Sequence, residues 1–261
     1  GSTVNLLRSV VANNSAQGRS GGGIWGTTVN IVESSIANNT AMTTGGGVHT
    51  TGVIDVQRSS IANNQASQVG GGLYSSNSSV VIVDSTVFGN RVTRAEARGG
   101  GVFGSQVTIT RSTISNNLAT GSHSRGAGIS ANTSASIQQS TVAYNDAVGA
   151  NATGGGVHVL QGSLNSTGSI IANNSASGGN PDLLLVGVIS ASHTLVGDTS
   201  GLTVSHLNAL NAGIGNILNV DPLLGPLAYN GGAVFADGSR MLTHALLPGS
   251  PAIDVGDSAL T

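Results

Sequence analysis

A double asparagine, or a close variant of it, returns along the chain and ends at Asn14, Asn39, Asn64, Asn90, Asn117, Asn145 and Asn174. The spacing lengthens from 25 to 29 residues. That is too short for an antiparallel propeller blade, and the segments carry no helical periodicity. A glycine triplet keeps step, starting at Gly21, Gly45, Gly70, Gly99, Gly126 (where it reads Gly-Ala-Gly) and Gly154. Periods of this length belong to solenoids, in which one turn cannot bury its apolar face alone and stacked turns share a core.

Alignment on the last asparagine produces columns. Ten residues earlier stand Val4, Val29, Ile54, Val80, Val107, Ala135 and Leu164; eight earlier stand Leu6, Ile31, Val56, Ile82, Ile109, Ile137 and Ser166. Three earlier stand Val11, Ile36, Ile61, Val87, Ile114, Val142 and Ile171. Alternation with a period of two is a strand with one buried face. Repetition of each column from turn to turn predicts parallel, in-register stacking at about 4.8 Å. The fold class expected is therefore all-β: a right-handed, single-stranded parallel β-helix of about seven to eight rungs. Residues 1–180 form the rungs. Residues 181–261, where the triplet gives way to Gly-Gly-Asn-Pro and the asparagine pair becomes Gly197-Asp198, form a degenerate last rung and a C-terminal cap. Pro222, Pro226, Pro248 and Pro251 there would block further strand addition.

Three polar columns have structural readings. Serine stands five before the last asparagine in seven turns (Ser9, Ser34, Ser59, Ser85, Ser112, Ser140, Ser169), and buried hydroxyls in a stack have partners above and below. The last asparagine is placed at a bend, where it tolerates the left-handed conformation and its amide bonds its neighbours. The glycines mark close backbone approach or positive φ. A phosphate loop is excluded, because no lysine or helix follows them.

The totals narrow the function. Charged residues are 8% of the 261, against about a quarter in ordinary proteins. All nine basic residues are arginine, and the net charge is −2, so no basic footprint for nucleic acid exists. There is no cysteine, hence neither disulfide framework nor thiolate metal site. The longest apolar run, 183–189, is too short to span a bilayer. No leader is visible, and the chain enters the repeat almost at once, as a processed piece of a longer protein would. Neither calcium-binding repeats nor recurrent carboxylate pairs are present, so no metal or cofactor is expected. Outward strand positions are chemically mixed rather than a threonine array, which argues against ice binding.

The pattern of Gly-Gly-Gly-apolar followed by apolar-x-x-Asn, as in Val87-Phe88-Gly89-Asn90, resembles the polymorphic outer-membrane repeats of bacterial surface proteins over residues 4–180. The tail from Asp221 through "PAIDVGD" resembles the end of large exported bacterial β-helix proteins that are carried to the surface by a separate anchor. The segment that usually follows "PAIDVGD" is missing here, and so is an anchor. The resemblance implies a secreted or cell-surface location and names no reaction.

Candidate chemistry gathers in three places. Six before the last asparagine run Arg8, Glu33, Arg58, Asp84, Arg111 and Gln139, a ladder of alternating sign that suits register control better than a polyanion groove. After the glycine triplet comes a column expected to face outward: Trp25, His49, Tyr74, Phe103, Ser130 and His158. Flat rings in a row stack on sugars or on one another. His49 and His158 lie four rungs apart, too far to share a metal. Three long loops, 91–98, 118–125 and 146–153, gather Arg91, Arg94, Glu96, Arg98, His123, Arg125 and Asp146 on one side. The carbohydrate-binding candidates are Trp25, His49, Tyr74, Phe103, Arg94, Arg98, His123, Arg125 and Asp146. Two readings stay open: a non-catalytic adhesin-like or structural surface module binding polysaccharide or a cell-surface glycan, and a polysaccharide lyase or glycoside hydrolase using the long-loop face. Association end to end or through an edge is expected at the N-terminal end, which lacks a cap.

Overall fold

The computed structural model describes residues 2–235 and 238–256. The chain is a β-solenoid of about eight stacked turns, consistent with the right-handed parallel β-helix read from the repeat. Among the described residues the turns build parallel sheets of 13, 9 and 7 strands. One turn shows how. Thr28–Val32 lies in the first sheet, Ser35–Ala37 in the second and Thr40–Ala41 in the third; a loop and the glycine triplet return the chain to the first sheet at Val48–Thr50.

The predicted columns are the observed register. Val29 pairs with Val4 and Ile54, and Ile61 with Ile36 and Val87. These side chains and their equivalents fill one continuous core. Each fully buried aliphatic residue contributes roughly 1.5–3 kcal/mol, so the stack multiplies what no single turn supplies. Ser166 interrupts a core column, and its hydroxyl is satisfied by Thr194 Oγ1 at 3.0 Å. A second, smaller core of alanines and Val92 lies behind the third sheet.

Both corners of a turn follow one rule. The first residue is left-handed and the second sends a polar side chain inward. At the first corner the left-handed residue comes from the charged column: Arg8, Glu33, Arg58, Asp84, Arg111 and Gln139 all have φ of 44–49°. Serine follows, its hydroxyl donating to the carbonyl two residues back and accepting the N–H of the serine one turn earlier, as Ser59 Oγ does with Gln57 and Ser34. The hydroxyls do not bond one another. At the second corner the left-handed residue is the first of the pair, Asn13, Asn38, Asn63, Gly89, Asn116, Tyr144 or Asn173. This corrects the assignment of that conformation to the last asparagine, which is instead the buried ladder residue.

The asparagine ladder leaves no amide atom idle. Asn64 Oδ1 accepts both the N–H and the Nδ2–H of Asn39, and Asn64 Nδ2 donates to Asn90 Oδ1 and to the Ile36 carbonyl, all within 2.9–3.0 Å. The glycines make room for it. A Cβ on Gly72 would sit 2.7 Å from the Gly101 carbonyl oxygen and 3.0 Å from the Asn90 side chain. The ladder ends at Asp182. It occupies the place of a third glycine, and its Oδ1 accepts Asn174 N–H and Nδ2–H while Oδ2 accepts the Asp198 N–H at 2.7 Å. The pairing of Ile171 with Val196 puts Asp198-Thr199, not Gly197-Asp198, at the place of the asparagine pair in the next turn, and with Thr199 in place of an asparagine the space is free for this carboxylate.

The charge ladder is discontinuous. Glu33 bonds Arg8 and Arg58, and Asp84 bonds Arg111, with no bridge from Arg58 to Asp84 among the described residues. Arg8, with Arg58 adding, holds the Glu33 carboxyl below its ordinary range.

The tail does more than cap. Leu183–Leu185, Val188–Ser192 and Leu195–Val196 continue the register as a further turn, and Ile217–Leu218 pairs in parallel with Leu195–Val196 to end the second sheet. The helix Val204–Ala212, capped by Thr203, inserts Leu210 into the core at that end. The chain then turns back, and an antiparallel hairpin of Leu224–Ala228 with Thr243–Leu246 lies against the second sheet. Thr86 Oγ1 donates to the Leu242 carbonyl and accepts its N–H, Tyr144 OH donates to the Leu224 carbonyl, and Ser115 meets His244. The prolines of the tail therefore lie in a side flap and do not close the solenoid end; residues 257–261 lie outside the described part. At the other end the strands Thr3–Leu7, Val10–Ala12 and Ser15–Ala16 are paired on one side only.

Candidate functional site: the ring and arginine face

Parallel register forces the ring column together. Trp25, His49, Tyr74 and Phe103 are direct register partners. Their centroids lie 6.5, 4.9 and 5.3 Å apart, with planes within 5–18° of parallel. The faces of His49 and Tyr74 are turned to one another, so solvent meets mainly their edges. Trp25, 58% exposed, has a face to offer. Exposure falls along the column: His49 and Tyr74 are half-buried, and Phe103, Ser130 and His158 are buried. The rings share one face of the first sheet from Trp25 to Phe103, as expected, but only Trp25 is exposed, and exposure is lost at Phe103 and His158. The reason is tertiary, because the three long loops close beside the later turns.

Those loops stack on each other, as expected. His123 N–H donates to the Ala95 carbonyl and Arg125 N–H to that of Ala97; Asn151 and Thr153 repeat both bonds one turn further on. Val69, Arg98, Arg125 and Thr153 are consecutive bridge partners just before the glycines. Two hollows open along the face. One, of about 400 Å³, is lined by Gln68, Tyr74, Phe103, Arg94, Glu96 and Arg98. The other, of about 670 Å³, is lined by Trp25, Arg19, Ser20 and Thr43. His49, His123, Arg125 and Asp146 line neither. His123 contacts Ser122 and Asn151 at the loop tips. Asp146 stands in the outward column of the third sheet and accepts the hydroxyl of Ser175.

Two groups escaped the sequence reading. Asp182, with Asp198 and Asp221, lines a separate hollow of about 320 Å³. Ser115 Oγ lies 2.8 Å from His244 Nε2, and His244 Nδ1 lies 2.7 Å from the Gly225 carbonyl oxygen. That carbonyl only accepts, so Nδ1 carries the proton and the serine hydroxyl donates to Nε2. The arrangement has the order of a nucleophile and base, but both side chains are buried under the hairpin, and its role is to pin the flap. No group of three His, Asp or Glu side chains suited to a metal ion exists among the described residues.

Burial sets two opposed titrations. It pushes His158 down to about 4, with Arg125 and then Arg98 adding to the effect. It pushes Asp182 up to about 6 against the stabilising bonds from Asn174. Between pH 4 and 6.5 unfolded His158 binds the proton that the folded one refuses, so its contribution to stability falls as pH drops, by about 3 kcal/mol over the window. Folded Asp182 holds a proton between pH 4 and 6 that the unfolded chain releases, so its contribution falls as pH rises, by about 3 kcal/mol. The two slopes cancel. Relative to the parent, His158→Leu is expected to lose stability as pH rises through this window, and Asp182→Asn to gain it. Urea unfolding at pH 4.5, 5.5 and 6.5 checks this; parallel curves for all three proteins would refute it.

Comparison with protein-family models, with curated proteins and with solved structures finds no match to this chain. No helix among the described residues is long and apolar enough to cross a membrane.

Proposed function

We propose that the chain is a rigid, non-catalytic surface module, structural or adhesin-like, that holds polysaccharide along its ring and arginine face. The observation that carries this reading is the composition of that face. Trp25, His49 and Tyr74 run in register beside two hollows, and the only carboxylate lining either is Glu96. A glycosidase needs two carboxyl groups across the scissile bond. Elsewhere the candidate chemistry is committed to structure: Asp182 closes the asparagine ladder, Glu33 and Asp84 hold arginines, and Ser115 with His244 fastens the flap. Secretion and surface display rest on the resemblance of the repeats and tail to exported bacterial β-helix proteins.

A glycan array together with an assay for release of unsaturated uronate or reducing ends tests the reading. Binding without turnover is expected, weakened by Trp25→Ala. Turnover of any bound polysaccharide would replace it with the lyase or glycosidase reading.

A further inference from the structure

Arg98 and Arg125 are direct neighbours in register, with backbones about 4.8 Å apart. Like charges so placed repel. Elsewhere this chain avoids the situation: Arg8, Arg58 and Arg111 each meet a carboxylate from an adjacent turn. Among the described residues neither Arg98 nor Arg125 has an ion-pair partner, nor has Arg94 on the same loop. The positive field of the pair reaches the buried imidazole of His158, and no acid offsets it there. In a protein with only nine arginines, three stand together without an acid in contact.

Arg94 and Arg98 line a built hollow; Arg125 does not line it but is the register neighbour of Arg98. Tyr74 and Phe103 give it apolar surface, Gln68 an amide, and Arg94 and Arg98 its charge. Its volume of about 400 Å³ falls in the range of small-molecule sites. Glu96 is the one acid on its rim and suits a hydroxyl donor. Guanidinium is planar and forks its donors to match a carboxylate with two parallel bonds.

We propose that this hollow binds an acidic polysaccharide by a sugar carboxylate held by Arg98, with Arg94 on the same lining and Arg125, the register neighbour of Arg98, as further cations, the sugar ring resting on the edges of Tyr74 and Phe103, and Glu96 accepting a hydroxyl. This deepens the polysaccharide reading and rests on it. It assigns the ligand a charge, whereas the reading requires only a sugar. Occupation removes the repulsion between the two guanidiniums, so ligand and loop stack stabilise each other.

The test uses the full chain with three probes at low salt: polygalacturonate, dextran sulfate and neutral dextran, measured by affinity electrophoresis and calorimetry. Polygalacturonate is expected to bind, more tightly than dextran, with affinity falling as salt rises. The double variant R98Q/R125Q should lose at least tenfold for polygalacturonate while its unfolding midpoint stays level or rises, because a repulsion is removed. R98K, which keeps the charge and loses the fork, should lose part of that affinity. Unchanged polygalacturonate affinity in the double variant overturns the proposal. So does tighter binding of dextran sulfate than of polygalacturonate, which would show charge density alone at work. Should the double variant unfold, R98K decides, since full affinity there removes the fork from the argument. Dextran bound as tightly as polygalacturonate and lost in Trp25→Ala sinks this proposal and leaves the polysaccharide reading standing. Failure of all three probes to bind sinks both.

Discussion

Ile61→Asp is expected to lower stability by about 5 kcal/mol or more, enough to prevent folding of a chain of ordinary stability. Ile61 is fully buried between Ile36 and Val87 in the second sheet. Its replacement removes the three carbons beyond Cβ from the core packing and introduces a carboxyl group for which this aliphatic column has no donor. Burial then drives the group to take a proton, so the loss should ease at acidic pH. The control is Ile61→Val, which keeps the shape of Val87 one turn on and should cost about 1 kcal/mol. Circular dichroism and urea unfolding of both variants decide the matter. An Ile61→Asp protein as stable as its parent would mean that the column does not face the core. Each turn touches only its neighbours, so the damage should begin at the third turn and open the stack on both sides.

The inward columns were legible because two signals coincide in them. Ile54 and Val56 alternate within a strand, and both repeat one turn later as Val80 and Ile82. The corners were half legible. In Asn38-Asn39 both residues are asparagine, and composition does not say which bends and which bonds. The discriminating sign lies in the exceptions Gly89-Asn90 and Tyr144-Asn145: the position that changes identity is the left-handed one, and the position that keeps its amide is the ladder. Gly168, left-handed at the end of the charged column, marks the other corner in the same way. What periodicity could not carry is contact between distant segments. Thr86 grips Leu242, 156 residues away, and no column announces it. The same limit explains the candidate site. Trp25, His49, Tyr74 and the arginines of the long loops were all visible as residues. The burial of Phe103 and His158 and the pairing of Arg98 with Arg125 depend on how three loops of unequal length settle against one another.

Asn90→Ala should cost about 3 kcal/mol, although it removes only a small polar group. Five partners each lose a bond: the N–H and the Nδ2–H of Asn64, which both point at Asn90 Oδ1, and the Ile61 carbonyl, the Phe88 carbonyl and Asn117 Oδ1, which accept from Asn90 Nδ2. The interior offers them no substitute, and an unmade buried bond costs more than a made one contributes. The space also opens over Gly72, whose missing side chain leaves the amide its room. Asn90→Asp separates the chemistry from the volume. An aspartate there still accepts from Asn64, but its second oxygen would face the Ile61 carbonyl and Asn117 Oδ1, both acceptors. At Asp182 the second oxygen meets the Asp198 N–H instead, which is why a carboxylate serves at the end of the ladder and nowhere along it. Asn90→Asp should therefore be at least as damaging as Asn90→Ala at pH 7, and should recover as pH falls towards about 4, because burial and the facing acceptors raise the folded carboxyl above the usual range and the protonated group becomes a donor. Urea unfolding of both variants at pH 7 and pH 4 measures the difference. If the aspartate variant matches the parent at pH 7, the amide ladder has no direction, and the account of how Asp182 ends it is wrong.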